Sequence, residues 1–179
     1  MIRITGGKNR SRKLETPETT LTKPTMDRVR EAVFNILSND IKDKKVLDLF
    51  AGSGSYGFEA LSRGASHVTF VDNQKLAISI IKKNSEILKE SNIDIIFGDV
   101  INFLENSKGK FDIVFIDPPY KLELYQNILD LLENNGLLQP FSIVVMESDK
   151  PLNLTESDNK TIKNYKYGLA RISVVRYKK

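Results

Sequence analysis

The sequence predicts an α/β fold on a mixed, mostly parallel sheet, and three observations carry that expectation. From Lys45 onward, short apolar runs rich in β-branched and aromatic residues alternate with helix-period segments. The stretch DLFAGSGSYG (48–57) links the first apolar run to the first helical one through glycines at 52, 54 and 57. Near the carboxyl end, two strand-like runs reverse around Gly168 and add an antiparallel pair.

In chain order, ITGGKNRSRKLETPETT is polar, basic and turn-rich, and reads as a loop or short hairpin with no core of its own. LTKPTMDRVREAVFNIL follows. Thr25 is placed to cap a helix whose Val29, Ala32, Val33, Ile36 and Leu37 form an apolar stripe, with Arg28, Arg30 and Asn35 on other faces. KVLDLF (45–50), HVTFVD (67–72), DIIF (94–97), FDIVFID (111–117) and SIVVME (142–147) read as buried strands. Helices are expected over 55–63, ending at Gly64; over 74–90, with Ala77, Ile80, Ile81, Ile87 and Leu88 on one face; and over 121–135, ending at Gly136. KTIKNYKY (160–167) and ARISVVRY (170–177) form the closing pair. The whole reads as one domain over residues 1–179. Residues 1–40 are a basic amino-terminal extension with an added helix, and 45–179 are the core that carries the chemistry.

A chain of 179 residues with 40% hydrophobic content is the size of one domain. No apolar run reaches the roughly eighteen residues of a membrane span, and MIRITGGKNRSRK lacks the apolar stretch of a secretory signal, so a cytoplasmic protein without a membrane partner is expected. The absence of cysteine excludes disulfides, thiolate zinc sites and cysteine nucleophiles, including the covalent attack used in cytosine-C5 methylation. The net charge of +4 is unevenly spread: residues 1–30 carry eight basic and three acidic side chains, and residues 160–179 carry seven basic and none acidic. Basic termini around an acidic middle suggest either a polyanion-binding surface or solubilising ends.

DLFAGSGSYG leaves a strand and enters a helix, and Asp72 ends the next strand twenty residues beyond Gly52. Gly52 and Gly54 let a ligand approach the helix amino terminus, while Asp72 is placed to accept from both hydroxyls of a ribose. An adenosine-type cofactor follows, either a dinucleotide such as NAD or S-adenosylmethionine. Asp48 favours the second, because its carboxylate would repel a pyrophosphate and attract a sulfonium and an ammonium. Asp99, after the third strand, is placed either to accept from an adenine amino group or to cap a helix.

DPPY (117–120) closes the fourth strand at the same sheet edge. A purine amino nitrogen is a poor nucleophile because its lone pair is delocalised into the ring. Holding both N–H groups with two acceptors returns electron density to it. The Asp117 carboxylate and the Pro118 carbonyl are the candidate acceptors, with Tyr120 stacking on the extruded base. This chemistry requires no metal.

RITGGKNRSRKL, KPTMDRVREAVFNIL, VLDLFAGSGSYGFEALSRGA, VDN and IDPPY, in that order, resemble the bacterial 16S ribosomal RNA guanine-N2 methyltransferase family called RsmD. The resemblance covers most of the chain and is weakest over residues 150–165. It implies a Rossmann-like seven-stranded sheet of the class I S-adenosylmethionine-dependent methyltransferases, with the last strand antiparallel. It also implies methylation of a guanine N2 in 16S rRNA, within the 30S subunit or an assembly intermediate. Family members commonly carry a small apolar residue and Leu after the second glycine, and Glu at the end of the second strand; this chain has Ser55, Tyr56 and Asp72. The expected enzyme is a monomer. The alternatives are a DNA adenine-N6 methylase, which shares DPPY, an NAD-binding oxidoreductase and a catalytically silent RNA-binding module.

Lys8, Arg10, Arg12 and Lys13 are the leading candidates for phosphate contact, since a turn-rich basic segment has few structural duties. Arg28 and Arg30 serve either as RNA contacts or as surface charges. His67 lacks partners for catalysis or metal binding. Tyr165, Tyr167 and Tyr177 either stack on RNA or pack the closing hairpin.

Overall fold

The computed structural model describes residues 2–17, 24–119 and 123–179. Its elements are β1 (Ile2–Arg3), β2 (Lys13–Leu14), α1 (Pro24–Leu37), β3 (Lys45–Leu49), α2 (Ser55–Ser62), β4 (His67–Asp72) and α3 (Lys75–Leu88). There follow β5 (Ile93–Phe97), α4 (Val100–Asn106), β6 (Phe111–Ile116), α5 (Glu123–Asn134), β7 (Leu138–Ser148), β8 (Lys160–Tyr167) and β9 (Ala170–Tyr177). β1 and β2 pair as a small antiparallel hairpin. The other strands form one seven-stranded sheet in the order β5-β4-β3-β6-β7-β9-β8. β3 pairs in parallel with both β4 and β6, and β6 with β7, while β9 runs antiparallel between β7 and β8. This is the mixed Rossmann-like sheet expected of the sequence. The strand order reverses between β3 and β6, where open α/β sheets bind their ligands.

Three boundaries differ from expectation. α1 begins at Pro24, so Thr25 lies inside its first turn and not at its cap, and the side chain of Thr25 falls outside the described residues. β7 starts at Leu138, four residues earlier than its apolar run, through an irregularity in its pairing with β6 between Phe111 and Ile113. α4 was not expected as an element, its seven residues giving too little periodicity to register.

The period of two along each strand divides the core into two layers. Val46, Val68, Phe70, Ile113, Phe115, Ile143 and Val145 face α1, α2 and α3, packing on Val33, Phe34, Phe58 and Ile81. Leu47, Leu49, Val71, Val114, Ile116, Val144 and Met146 face α4 and α5, packing on Leu104, Ile128 and Leu132. Carried to the strand ends, the same alternation assigns Asp48, Asp72, Asp117 and Glu147 to the first face. Four carboxylates on four adjacent strands therefore gather at one edge. Among the described residues, no helix is long and apolar enough to cross a membrane.

Candidate active site at the carboxyl edge of the sheet

The loop after β3 is held in an uncommon conformation: Phe50, Gly52 and Gly54 all have positive φ, at 58°, 55° and 77°. For Phe50 this costs about 1–3 kcal/mol, a strain that marks functional loops. The Gly52 amide donates to Asp72 Oδ2 at 2.9 Å and the Gly54 amide to the Ala51 carbonyl at 2.7 Å, which closes the turn. A Cβ at Gly52 would meet nothing within 4 Å, whereas one at Gly57 would lie 2.2 Å from the Phe70 ring. The first glycine thus leaves an open cradle, and Gly57 lets α2 close onto β4.

Asp72 is buried and holds one amide on each oxygen, from Gly52 and, at 2.8 Å, from Gln74. Each oxygen keeps lone-pair capacity for a ribose hydroxyl. Asp48 accepts from the Gly57 amide at 2.9 Å and is only 3% exposed. Burial pushes its pKa up to about 8, against the opposing Gly57 hydrogen bond and with further upward pressure from the Asp72 charge. Asp99 is exposed and caps α4, accepting from the Asn102 amide through Oδ1 at 2.9 Å, so only its other oxygen is left for an adenine amino group. The open cradle, the remaining lone pairs of Asp72 and the carboxylates around them fit S-adenosylmethionine. A dinucleotide pyrophosphate would meet Asp48 and Asp72 without a described cation to offset them.

Asp117 follows β6 directly, with Pro118 buried and Pro119 exposed behind it. Tyr120, the expected stacking residue, lies outside the described residues. More than a third of Asp117 is open to solvent, yet protein surrounds the carboxyl. That desolvation, then Glu147 and then Asp48, raises its pKa well above the carboxylate range. Solvent at the exposed flank moderates the rise without reversing it.

Glu147 was missed in the sequence. It ends the apolar part of β7 next to Asp117, and its Oε2 accepts from the Tyr56 hydroxyl at 2.7 Å. Its backbone carbonyl accepts from the Tyr125 hydroxyl at 2.6 Å. Burial raises its pKa, while the Tyr56 hydrogen bond and the Arg30 charge pull it down. Tyr56 itself stacks on Phe115, with ring centroids 4.9 Å apart. The strand alternation that places Asp117 would have found Glu147 as well.

Of the basic residues, Arg30 is a correction. It is 2% exposed, and its guanidinium donates to Glu59 Oε2 at 3.4 Å, to Asp27 Oδ1 at 2.9 Å and to the Arg3 carbonyl, so it belongs to the framework and not to an RNA-facing surface. Glu59 is fully buried and also accepts from the Thr5 amide and hydroxyl, the Gly6 amide and Arg63 Nε, all within 2.9 Å. The amino-terminal segment therefore has structural duties that its composition hid. Ile2, Ile4 and Leu14 enter the core. Buried Asn84 bonds the backbone of Glu15 and the Ser53 carbonyl, and Glu90 takes Lys8 and Asn9. Lys8 and Arg12 stay exposed although tied to Glu90 and to the Ile87 carbonyl. Arg10, Lys13 and Arg28 are exposed and make no side-chain hydrogen bond or ion pair among the described residues.

Two further groups are settled by position. His67 pairs with Asp94 at 2.8 Å at the start of β4, the end of that strand away from Asp72. Tyr177 is buried and donates to Glu133 at 2.6 Å, and Tyr165 and Tyr167 pack against the first core layer, as hairpin packing requires.

The family model described as Conserved hypothetical protein 95 matches residues 2–176. The Ribosomal RNA small subunit methyltransferase D of Escherichia coli K12 is 40% identical over 148 residues, covering 83% of this chain and 75% of the relative. The chain belongs to the RsmD family. A second RsmD relative, the enzyme of that name from Haemophilus influenzae, is 39% identical over 165 residues and covers 90% of this chain and 86% of its own. A solved Escherichia coli chain, described as a candidate methyltransferase, superimposes with a TM-score of 0.87 at 34% identity, over 99% of this chain and 98% of that one. A more distant candidate methyltransferase solved with SAH is 16% identical, with a TM-score of 0.69 over 85% of this chain and 49% of that one, and shows the shared fold.

Proposed function

We propose that this RsmD-family chain transfers a methyl group from S-adenosylmethionine to the N2 amine of a guanine in 16S rRNA, within the 30S subunit or an assembly intermediate. The carrying observation is the meeting, at the point where strand order reverses, of the glycine cradle with Asp72 and the Asp117–Pro118 turn. Asp117 and the Pro118 carbonyl would hold the two amine hydrogens, and Tyr120 would stack on the base. When bound, S-adenosylmethionine supplies an electrophilic methyl group on a sulfonium. Asp72 holds the ribose; Gly52 and Gly54 shape the cradle; Asp48 faces the cationic end; and Asp99 borders the adenine. Arg10, Lys13 and Arg28, with Lys8 and Arg12 beside them, present phosphate contacts. The proposed enzyme is a cytoplasmic monomer of one domain, residues 1–40 being an extension on a core at 45–179. The names of the relatives give no support to a DNA adenine-N6 methylase.

The test is to methylate 16S RNA, free and in 30S particles, digest it and identify the product by mass spectrometry. N2-methylguanosine is expected. Recovery of N6-methyladenosine, or a preference for duplex DNA, would overturn the reading.

Two binding predictions accompany it. Asp48 has a raised pKa of about 8, so at pH 6 it is protonated and must release that proton to face a cation. Affinity for S-adenosylmethionine should therefore rise with pH, by up to about tenfold per unit, and level off above about pH 8. Calorimetry in buffers of different ionisation enthalpy checks this, and Asp48→Asn should flatten the profile. Replacing Arg10 and Lys13 by Ala should weaken RNA binding and reduce the salt slope by about 0.7–0.9 for each phosphate left without its cation. An unchanged slope would make them solubilising charges.

A further inference from the structure

We propose that Glu147 reads the N1–H of the target guanine and so sets the choice of guanine over adenine, with Tyr56 as the residue that positions it. The inference rests on the guanine-N2 reading above. A site with acceptors only for an exocyclic amine takes either purine. What separates the bases is the neighbouring ring position, where guanine has an N1–H donor and adenine an N1 lone pair.

The acceptor beside Asp117 is in place. Ile116 lies opposite Met146 in the parallel β6–β7 pair, so Asp117 and Glu147 occupy the next rung, on backbones about 4.8 Å apart. Both fall on the same face by the strand alternation, and the charge of Glu147 acts directly on Asp117. Two carboxylates on adjacent strands can span two adjacent donors of one purine edge.

Glu147 is also held as a reading group must be. Tyr56 donates to Oε2 at 2.7 Å from a ring stacked on Phe115, and Tyr125 fixes the Glu147 carbonyl at 2.6 Å. Oε1 has no hydrogen bond among the described residues. That oxygen is open to a donor from a ligand, and an N1–H would supply one. An adenine N1 would set a lone pair against the same oxygen. Holding the amine hydrogens needs only Asp117 and Pro118, which leaves Glu147 free for this task.

The experiment uses the full-length protein and 16S RNA in 30S particles carrying, at the mapped target position, either guanine or 2-aminopurine. The analogue keeps the 2-amino group and presents a bare acceptor at N1. Wild-type enzyme should prefer guanine by about a hundredfold in kcat/KM. Glu147→Gln should cut that preference at least about tenfold, because the carboxamide can turn its NH2 toward N1, while affinity for S-adenosylmethionine is retained. Tyr56→Phe leaves the carboxylate but frees its orientation. It should cut the preference by a smaller factor, about threefold, and it decides the matter if Glu147→Gln does not fold. An unchanged preference, or an equal loss of rate on both bases, would overturn the assignment. A wild-type product other than N2-methylguanosine would defeat the underlying reading instead, so the two failures are distinguishable.

Discussion

Asp117→Ala is expected to lower methyl transfer at least about a hundredfold while S-adenosylmethionine binds as before. In the proposed reaction Asp117 acts on the nucleophile: it would accept from the amine and so oppose delocalisation of the lone pair into the purine ring. The proposed donor site lies elsewhere, at the Gly52–Gly54 loop and Asp72, whose hydrogen bonds do not involve Asp117. The cradle should therefore survive the substitution. Single-turnover transfer to 30S particles beside a calorimetric titration checks both halves. A parallel loss of affinity and rate would place Asp117 in the donor site instead.

The second large effect is on stability. Glu59→Ala should destabilise the fold by about 3–5 kcal/mol, the range for breaking a buried ion pair by removing one partner. The substitution would leave Arg30 buried beside an emptied space, with Asp27 as its remaining carboxylate partner, and would strip acceptors from Thr5, Gly6 and Arg63. For a chain of this length, Tm should fall by roughly 10 °C or more. Thermal unfolding at low and high salt checks it, since a buried network is screened far less than a surface pair. A change of under about 2 °C would show that the Glu59 hydrogen bonds are dispensable.

Legibility in the sequence followed locality. Asp48, Gly52, Gly54, Asp72 and Asp117 stand in short motifs at strand ends, where a fixed spacing and a change of period announce them. The sheet was legible for the same reason: its strands are continuous apolar runs, as strands covered on both faces must be. Glu147 belongs to no motif. The alternation along β7 puts it on the face of Val145, but only the pairing of β7 with β6 sets it beside Asp117. Arg30 was misread because helical periodicity sets it off the apolar stripe of α1, and nothing nearby says that a buried acid awaits it from α2. The early start of β7 was hidden because Gln139 and Pro140 interrupt the apolar run, and Pro140 has no amide to give to the ladder. The tyrosines of the closing hairpin were balanced between two uses until burial decided for packing.

The amino-terminal hairpin is joined to the body by Glu59, Asn84 and Glu90, three side chains that belong to the body and not to the hairpin. The hairpin is consequently not an interchangeable cassette. Transplanted onto a core that lacks those acceptors, it would carry unpaired amides into the junction, and a core deprived of it would leave Glu59 with Arg30 and Arg63 but without the Thr5 and Gly6 donors. The basic side chains of the hairpin are thus held in register with the glycine turn, because Asn84 grips the Glu15 backbone and the Ser53 carbonyl at once. The spacing between those side chains and the glycine turn is accordingly a fixed dimension of this molecule, one that lengthening the hairpin tip would alter and that exchanging its charges would not.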